Sequence, residues 1–316
     1  KDTHIGDTLS DDPSAKPLKG LSFPQPVMSY AVYPEKEGEE EKVAEGLSRL
    51  VEEDPTLAMN YNQETRETIL SGMGDQHLTH VIDRLQESFK VAVQLETPKV
   101  PYRETIKQTA KAQYRHKKQS GGHGQFAEVY LRIEPLPEQE FEFDSEVVGG
   151  NIPKNYIPAV EKGIQEAMQE GPLAHCKVIN VKGVVYDGKY HPVDSSDLAF
   201  QLAGRNAFYE AMAQAKPQLL EPIMKMEIVF PEEYMGDVSG DLNARRGRII
   251  GMDRQESFQV LNAEAPMAET FKYATQLRSL TQGTGTFQMN FDRYEPVPSH
   301  LAQQIQEEAA AKAAEG

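Results

Sequence analysis

Along this chain the apolar positions repeat with a period of two in some stretches and of three to four in others. Pro26–Tyr33 alternates as a strand does. Glu39–Glu53 puts Val43, Leu47, Leu50 and Val51 on one helical face, and Thr56–Asn62 and Thr65–Met73 predict two strands joined by a short turn. Gly74 leads into a second helix striped by Leu78, Val81, Ile82, Leu85 and Phe89, and Val91–Leu95 closes the set. The order is βαββαβ.

That order returns near the C-terminus. Pro222–Phe230 predicts a strand. Glu232–Arg246 predicts a helix with Met235, Val238 and Leu242 inward, stopped by Gly247 at a left-handed cap. Strands follow over Arg248–Met252 and Phe258–Ala263, then a helix over Ala268–Leu280 facing inward with Phe271, Ala274 and Leu277, then a strand over Thr286–Phe291. The two copies share order more than sequence. Between them, Thr105–Tyr114, Phe126–Glu134 and Val178–Tyr186 predict long strands. One helix is striped by Ile157, Val160, Ile164 and Met168. A second carries Ala199, Ala203, Ala207, Ala211 and Ala215 at every fourth position, with Leu198, Leu202, Phe208 and Met212 for bulk. Plain core packing accounts for both stripes. The predicted class is α+β, with two ferredoxin-like βαββαβ domains flanking an elongated α+β domain. Residues 299–316 are helix-prone but barely amphipathic, and are expected to fray.

Charge changes the picture. The net value is −16, distributed as −9 over residues 1–101, −1 over 102–220 and −6 over 221–316. An acidic chain of this kind is no general coat for nucleic acid, whose phosphates are bound by neutralising cations. Any such contact must use restricted basic points. One stands out: Arg115-His116-Lys117-Lys118-Gln119-Ser120-Gly121-Gly122-His123-Gly124-Gln125, between two strands. Together with Lys111 it forms a positive finger with no acid from Ile106 to Gln125. Gly121, Gly122 and Gly124 tolerate positive φ and let backbone approach a partner closely. A solvated turn with incidental lysines is the bland alternative.

Two more clusters could carry chemistry. Tyr190-His191-Pro192-Val193-Asp194-Ser195-Ser196-Asp197 can cap the helix that begins near Leu198. Ser195, His191 and Asp194 could also be drawn as a hydrolytic group, but no Gly-x-Ser-x-Gly elbow is present. Asn243-Ala244-Arg245-Arg246-Gly247-Arg248 sets three arginines at a helix C-terminus, where the dipole favours them and where they could also grip phosphate. His116, His123, His175, Cys176 and His191 lack paired metal-ligand spacing, and no phosphate-binding Gly-rich loop with Lys-Ser/Thr is found. The single cysteine fits a reducing compartment, and no apolar run approaches the roughly 20 residues that span a bilayer.

At these residues the chain resembles the C-terminal part of elongation factor G, a translational GTPase. Thr65–Leu78 resembles its third domain. Pro101–Gln113, Lys117–Phe126 and Tyr190–Gly204 resemble the fourth, and Pro231–Gly251 and Tyr273–Phe287 the fifth. The most specific strings are Asp241–Gly247 and Arg278–Gly283. The resemblance implies that residues 1–24 end a preceding β-barrel domain and its linker. It implies ferredoxin-like domains over 25–100 and 221–298, a tip-bearing domain of the ribosomal-protein-S5 second-domain type over 101–220, and a tail over 299–316. It further implies no cofactor in this fragment, with GTP and Mg expected in a missing N-terminal domain. The implied partners are ribosomal RNA and proteins and the tRNA–mRNA of the decoding site, with a cytoplasmic, monomeric protein and no membrane. The family's tip loops fall on Lys117, Lys118, Ser120, Gly121, Gly122, His123, Gly124 and Gln125, and on His191, Pro192, Asp194, Ser195 and Ser196. A weaker ribosome contact falls on Arg245, Arg246 and Arg248. His123 stands where the family usually has Arg, Asp75-Gln76 replaces Glu-Leu, Thr284 occupies a place commonly held by Arg or another polar residue, and the Ala/Glu tail is extra. These departures suit a paralogue for subunit splitting or ribosome protection as an alternative to the main translocase. From other classes, a hydrolase on Ser195/His191 and a protein-interaction module remain to be separated by experiment.

Overall fold

The computed structural model describes residues 3, 5–12, 14–119 and 124–315. In chain order the elements are β1 (Met28–Pro34), α1 (Glu40–Glu53), β2 (Ala58–Asn62), β3 (Glu67–Gly72), α2 (Asp75–Phe89), β4 (Val93–Glu96), β5 (Arg103–Ile106), β6 (Ala110–Lys118), β7 (Gln125–Pro135), β8 (Phe141–Ser145), α3 (Ile157–Ala167), β9 (Val181–Lys189), α4 (Asp197–Gln214), β10 (Pro217–Pro231), α5 (Met235–Ala244), β11 (Arg248–Gln255), β12 (Phe258–Pro266), α6 (Tyr273–Leu280), β13 (Thr286–Pro296) and α7 (Ser299–Glu315). They form two units, residues 1–101 with 222–293 and residues 102–221 with 294–316.

The first unit holds both βαββαβ sets. Their sheets run β2-β3-β1-β4 and β11-β12-β10-β13, the same order when each set is numbered from its own first strand. This is the ferredoxin-like topology expected from the periodicity. Leu47, Leu70, Leu78 and Leu85 from one set, and Ile228, Phe230, Val238, Leu242, Leu261 and Tyr273 from the other, belong to one connected buried cluster. Asp75, one of the departures, accepts hydrogen bonds from Tyr30 Oη at 2.6 Å and from Thr275 Oγ1 at 2.8 Å, tying the two sets together. The Tyr30 phenol is pushed up to about 12, chiefly because it donates to that carboxylate.

Two local expectations are corrected in this unit. The left-handed residue that ends α5 is Arg246, at φ 57°, and not Gly247. Gly247 N–H donates to Leu242 O at 2.7 Å and Arg246 N–H to Asn243 O at 3.2 Å, the paired bonds of a Schellman turn. Glycine is needed at 247 for close approach, since a Cβ there would lie 2.7 Å from Leu242 O. The helix after β12 begins late, at Tyr273, and Tyr273 takes the inward place expected of Phe271.

The second unit is built on a sheet of order β6-β7-β9-β8. Its helices α3 and α4 meet at glycines: a Cβ on Gly163 would stand 2.0 Å from Gln201 O, and one on Gly204 2.7 Å from Val160 O. The five alanines of the stripe are fully buried. The strand expected over Thr105–Tyr114 is two strands in different ladders. β5 pairs with Pro217–Leu220 of β10 and β6 pairs with β7, with a bend between them. Glu104 on β5 is buried, and its carboxylate accepts from the backbone N–H groups of Leu173, Ala174 and Cys176. β8, parallel to β9, lies outside the expected elements, because its outward acids dilute the apolar pattern. Glu142 pairs with Lys182 of β9 at 2.6 Å. Where fraying is expected, the described tail residues form helix α7, whose Leu301, Ala302, Ile305 and Ala309 pack against Ala174, Leu219 and Val297.

Candidate nucleic-acid interface

The basic finger is the hairpin of β6 and β7, in register from Ala110↔Ile133 to Lys118↔Gln125. Ala110 and Ala112 turn to the core, so Lys111, Gln113 and Arg115 face out. Arg115 is not a free cation. Its Nε lies 2.8 Å from an oxygen of Glu128, a fully buried carboxylate that also accepts from Gln113 at 2.6 Å and Tyr130 at 3.1 Å. Burial pushes the Glu128 carboxyl up, but the bonds from Arg115, Tyr130 and Gln113 outweigh it and hold the group below its ordinary value. Lys111 sits over the Tyr186 ring, 5.5 Å from its centre. Lys117 and Lys118, at the end of the ladder, are exposed and form no ion pair among the described residues. Ser120, Gly121, Gly122 and His123 lie outside the described residues.

Beyond the turn, the chain meets the second candidate loop. Gly124 N–H donates to Asp194 Oδ1 at 3.1 Å, and Phe126 N–H to the Asp194 carbonyl at 2.8 Å. Ser195 Oγ donates to the Phe126 carbonyl at 2.7 Å and accepts from His191 N–H at 2.8 Å. Gln125 turns back on its own hairpin, its Oε1 lying 2.9 Å from His116 Nε2. Ser196 caps α4, accepting from Ala199 N–H at 3.2 Å. The residues of this loop therefore divide. Asp194 and Ser195 are half-buried against the hairpin, whereas His191, Pro192, Val193 and Ser196 are exposed.

This geometry does not suit acyl transfer. The Ser195 proton is directed to a backbone carbonyl, and His191 Nδ1 lies near Asp194 Oδ2 at 3.3 Å and the Asp194 amide at 3.2 Å. A nucleophile whose hydroxyl proton is committed to a carbonyl has no base. Two residues join the site without having stood among its candidates: Val193, which is 63 % exposed, and Phe126, whose ring meets His191 edge-on. A valine between Pro192 and Asp194, with no strand or helix period to serve, is the available signal.

The arginine triplet is spoken for. Arg245 bonds Asp241 at 2.7 Å, donates to the Glu269 carbonyl at 2.7 Å and covers the Tyr273 ring. Arg246 reaches Glu269 at 3.2 Å, and Arg248 reaches Glu264 at 2.5 Å. Among the described residues no group of three or more His, Cys, Asp or Glu could hold a metal ion, and no helix is long and apolar enough to cross a membrane.

Two ferredoxin-like sheets and a helix-backed sheet define a mixed α+β set of domains, and among the described residues no nucleotide-binding fold is found. Family models agree along the chain: Elongation Factor G, domain III matches residues 23–97, Elongation factor G, domain IV matches 98–216, and Elongation factor G C-terminus matches 218–305. The chain belongs to the elongation factor G family, over its domains III and IV and its C-terminus. It is also similar to a crystal structure from Thermus thermophilus, at 46 % identity and a TM-score of 0.84 over 92 % of this chain. The chain spans 44 % of the length of that neighbour.

Proposed function

We propose that this chain is the ribosome-binding portion of a translational GTPase, and that it carries movement of tRNA–mRNA driven by GTP hydrolysis in a domain outside these residues. GTP and its Mg2+ would be held in that domain. The contribution made here is steric and electrostatic, with Lys117, Lys118 and His191 against RNA at the tip. One observation supports the reading: in an acidic chain, the end of the β6–β7 ladder presents two lysines that meet no acid among the described residues, beside an exposed loop docked to it. Phosphate contact by those lysines makes binding salt-dependent. The test is sedimentation of the chain with ribosomes across a salt series. Lys117→Ala with Lys118→Ala should weaken binding and lower the slope of log affinity against log salt by roughly two. An unchanged slope would overturn the reading. Separate assays of translocation and of subunit splitting by the parent protein then decide which ribosomal step is served.

A further inference from the structure

We propose that Asp194 and Ser195 are positioning residues, forming a clasp that ties the His191 loop to the Gly124–Phe126 end of the β6–β7 hairpin, while the exposed His191, Pro192, Val193 and Ser196 make the contacts. The proposal rests on the reading of the tip as a ribosome-facing surface. Sequence alone places Asp194 and Ser195 in the same candidate set as His191 and Pro192, but the structure turns them the other way. Asp194 acts twice on the hairpin, through its carboxylate on Gly124 N–H and through its carbonyl on Phe126 N–H. Ser195 Oγ acts twice as well, donating to Phe126 O and accepting from His191 N–H. Tyr156 Oη completes the seat by donating to the Ser195 carbonyl at 3.3 Å.

The glycine at 124 belongs to this device. A Cβ there would lie 3.1–3.2 Å from the Asp194 carboxylate, so any larger residue would press on the clasp. His191 is held as a consequence: its backbone N–H donates to Ser195 Oγ, its ring Nδ1 faces the Asp194 amide and carboxylate, and Phe126 meets the ring edge-on. Surfaces of this kind bind best when the ordering cost is met before the partner arrives. Two loops free to move separately would each have to be ordered on the ribosome.

The test measures amide hydrogen exchange and ribosome co-sedimentation on the full chain. Asp194→Ala should speed exchange of the Gly124 amide, and Ser195→Ala that of the His191 amide, each by about tenfold, the effect of losing one ordinary hydrogen bond. Each variant should also bind ribosomes several-fold more weakly. Asp194→Asn and Ser195→Thr retain the acceptor and the hydroxyl, and should restore both readouts. Unchanged exchange in the alanine variants overturns the clasp. So does faster exchange with unchanged ribosome binding, and so does failure of the conservative variants to restore binding. Lys117→Ala with Lys118→Ala separates the two ideas: it reports on the contact surface and leaves the Gly124 and His191 amides as slow as before.

Discussion

The end of the β6–β7 hairpin and the turn after α5 look alike in sequence, each a knot of three or four cations beside glycine, yet the fold treats them in opposite ways. After α5, every arginine is met by an acid from a different part of its unit: Asp241 one helical turn back, Glu269 beyond β12, and Glu264 across the β11–β12 ladder. On the hairpin, Arg115 is the one cation that Glu128 meets among the described residues, and no described acid pairs with Lys117 or Lys118. Topology supplies the counter-charge to the first cluster and, among the described residues, withholds it from the two lysines of the second.

The largest effect expected from this contrast is on binding. Lys117→Glu with Lys118→Glu should lower the affinity of the chain for ribosomes by about a hundredfold at moderate salt, with the melting temperature unchanged because neither lysine supports a folded-state ion pair. If Arg245→Ala lowers the affinity of the folded chain as much, the contrast is broken. Arg245→Ala should instead act on stability. It removes two hydrogen bonds and a cation over Tyr273, and leaves Asp241 half of a partly buried pair. The expected cost is about 2–3 kcal/mol, read from urea unfolding. Gly247→Ala should follow at about 1–2 kcal/mol, because its Cβ must push Leu242 O away and loosen the Schellman turn that aims all three arginines. Unaltered stability in that variant would mean the turn is not what holds the cluster in place.

Period and punctuation suffice to read the order of both βαββαβ sets, because their helices show an apolar face and their central strands a buried side. They fail where chain geometry, not pattern, decides. Thr105–Tyr114 alternates without interruption, and only the pairing partners reveal that β5 and β6 belong to different ladders. α7 holds where fraying is expected because its contacts come from Leu219, Val297 and Ala174, residues remote in sequence that give a weakly amphipathic helix a place to dock. At the tip, the hairpin and the His191 loop can both be picked out as polar and unusual. Which of their residues look outward cannot be seen, since Asp194 and His191 differ only in what lies opposite them in the fold. The same limit hides the pairing of the arginines: Glu264 and Glu269 are ordinary acids until β11 and β12 align.

Glu264 gives the finest test of how firmly that pairing holds. Arg293 and Arg248 both bond its carboxylate, which holds the group down at about 2 from an ordinary 4.5. A folded-state value below the unfolded one means the unfolded chain takes up the proton first as pH falls. The stabilisation is therefore complete above about pH 4.5 and drains away between there and about pH 2. Arg248 is well exposed, so screening reduces the effect, and a contribution of about 1–2 kcal/mol is expected. Unfolding by urea at pH 7 and at pH 3 should show the loss, and Glu264→Gln should flatten that limb of the profile while lowering stability at pH 7. At the hairpin Lys117 and Lys118 meet no acid among the described residues, so removing their charge should leave the stability profile between pH 3 and 7 as it was. A change there of the size seen for Glu264 would show that the two lysines are tied into the fold after all, and that the hairpin and the arginine turn are one kind of structure.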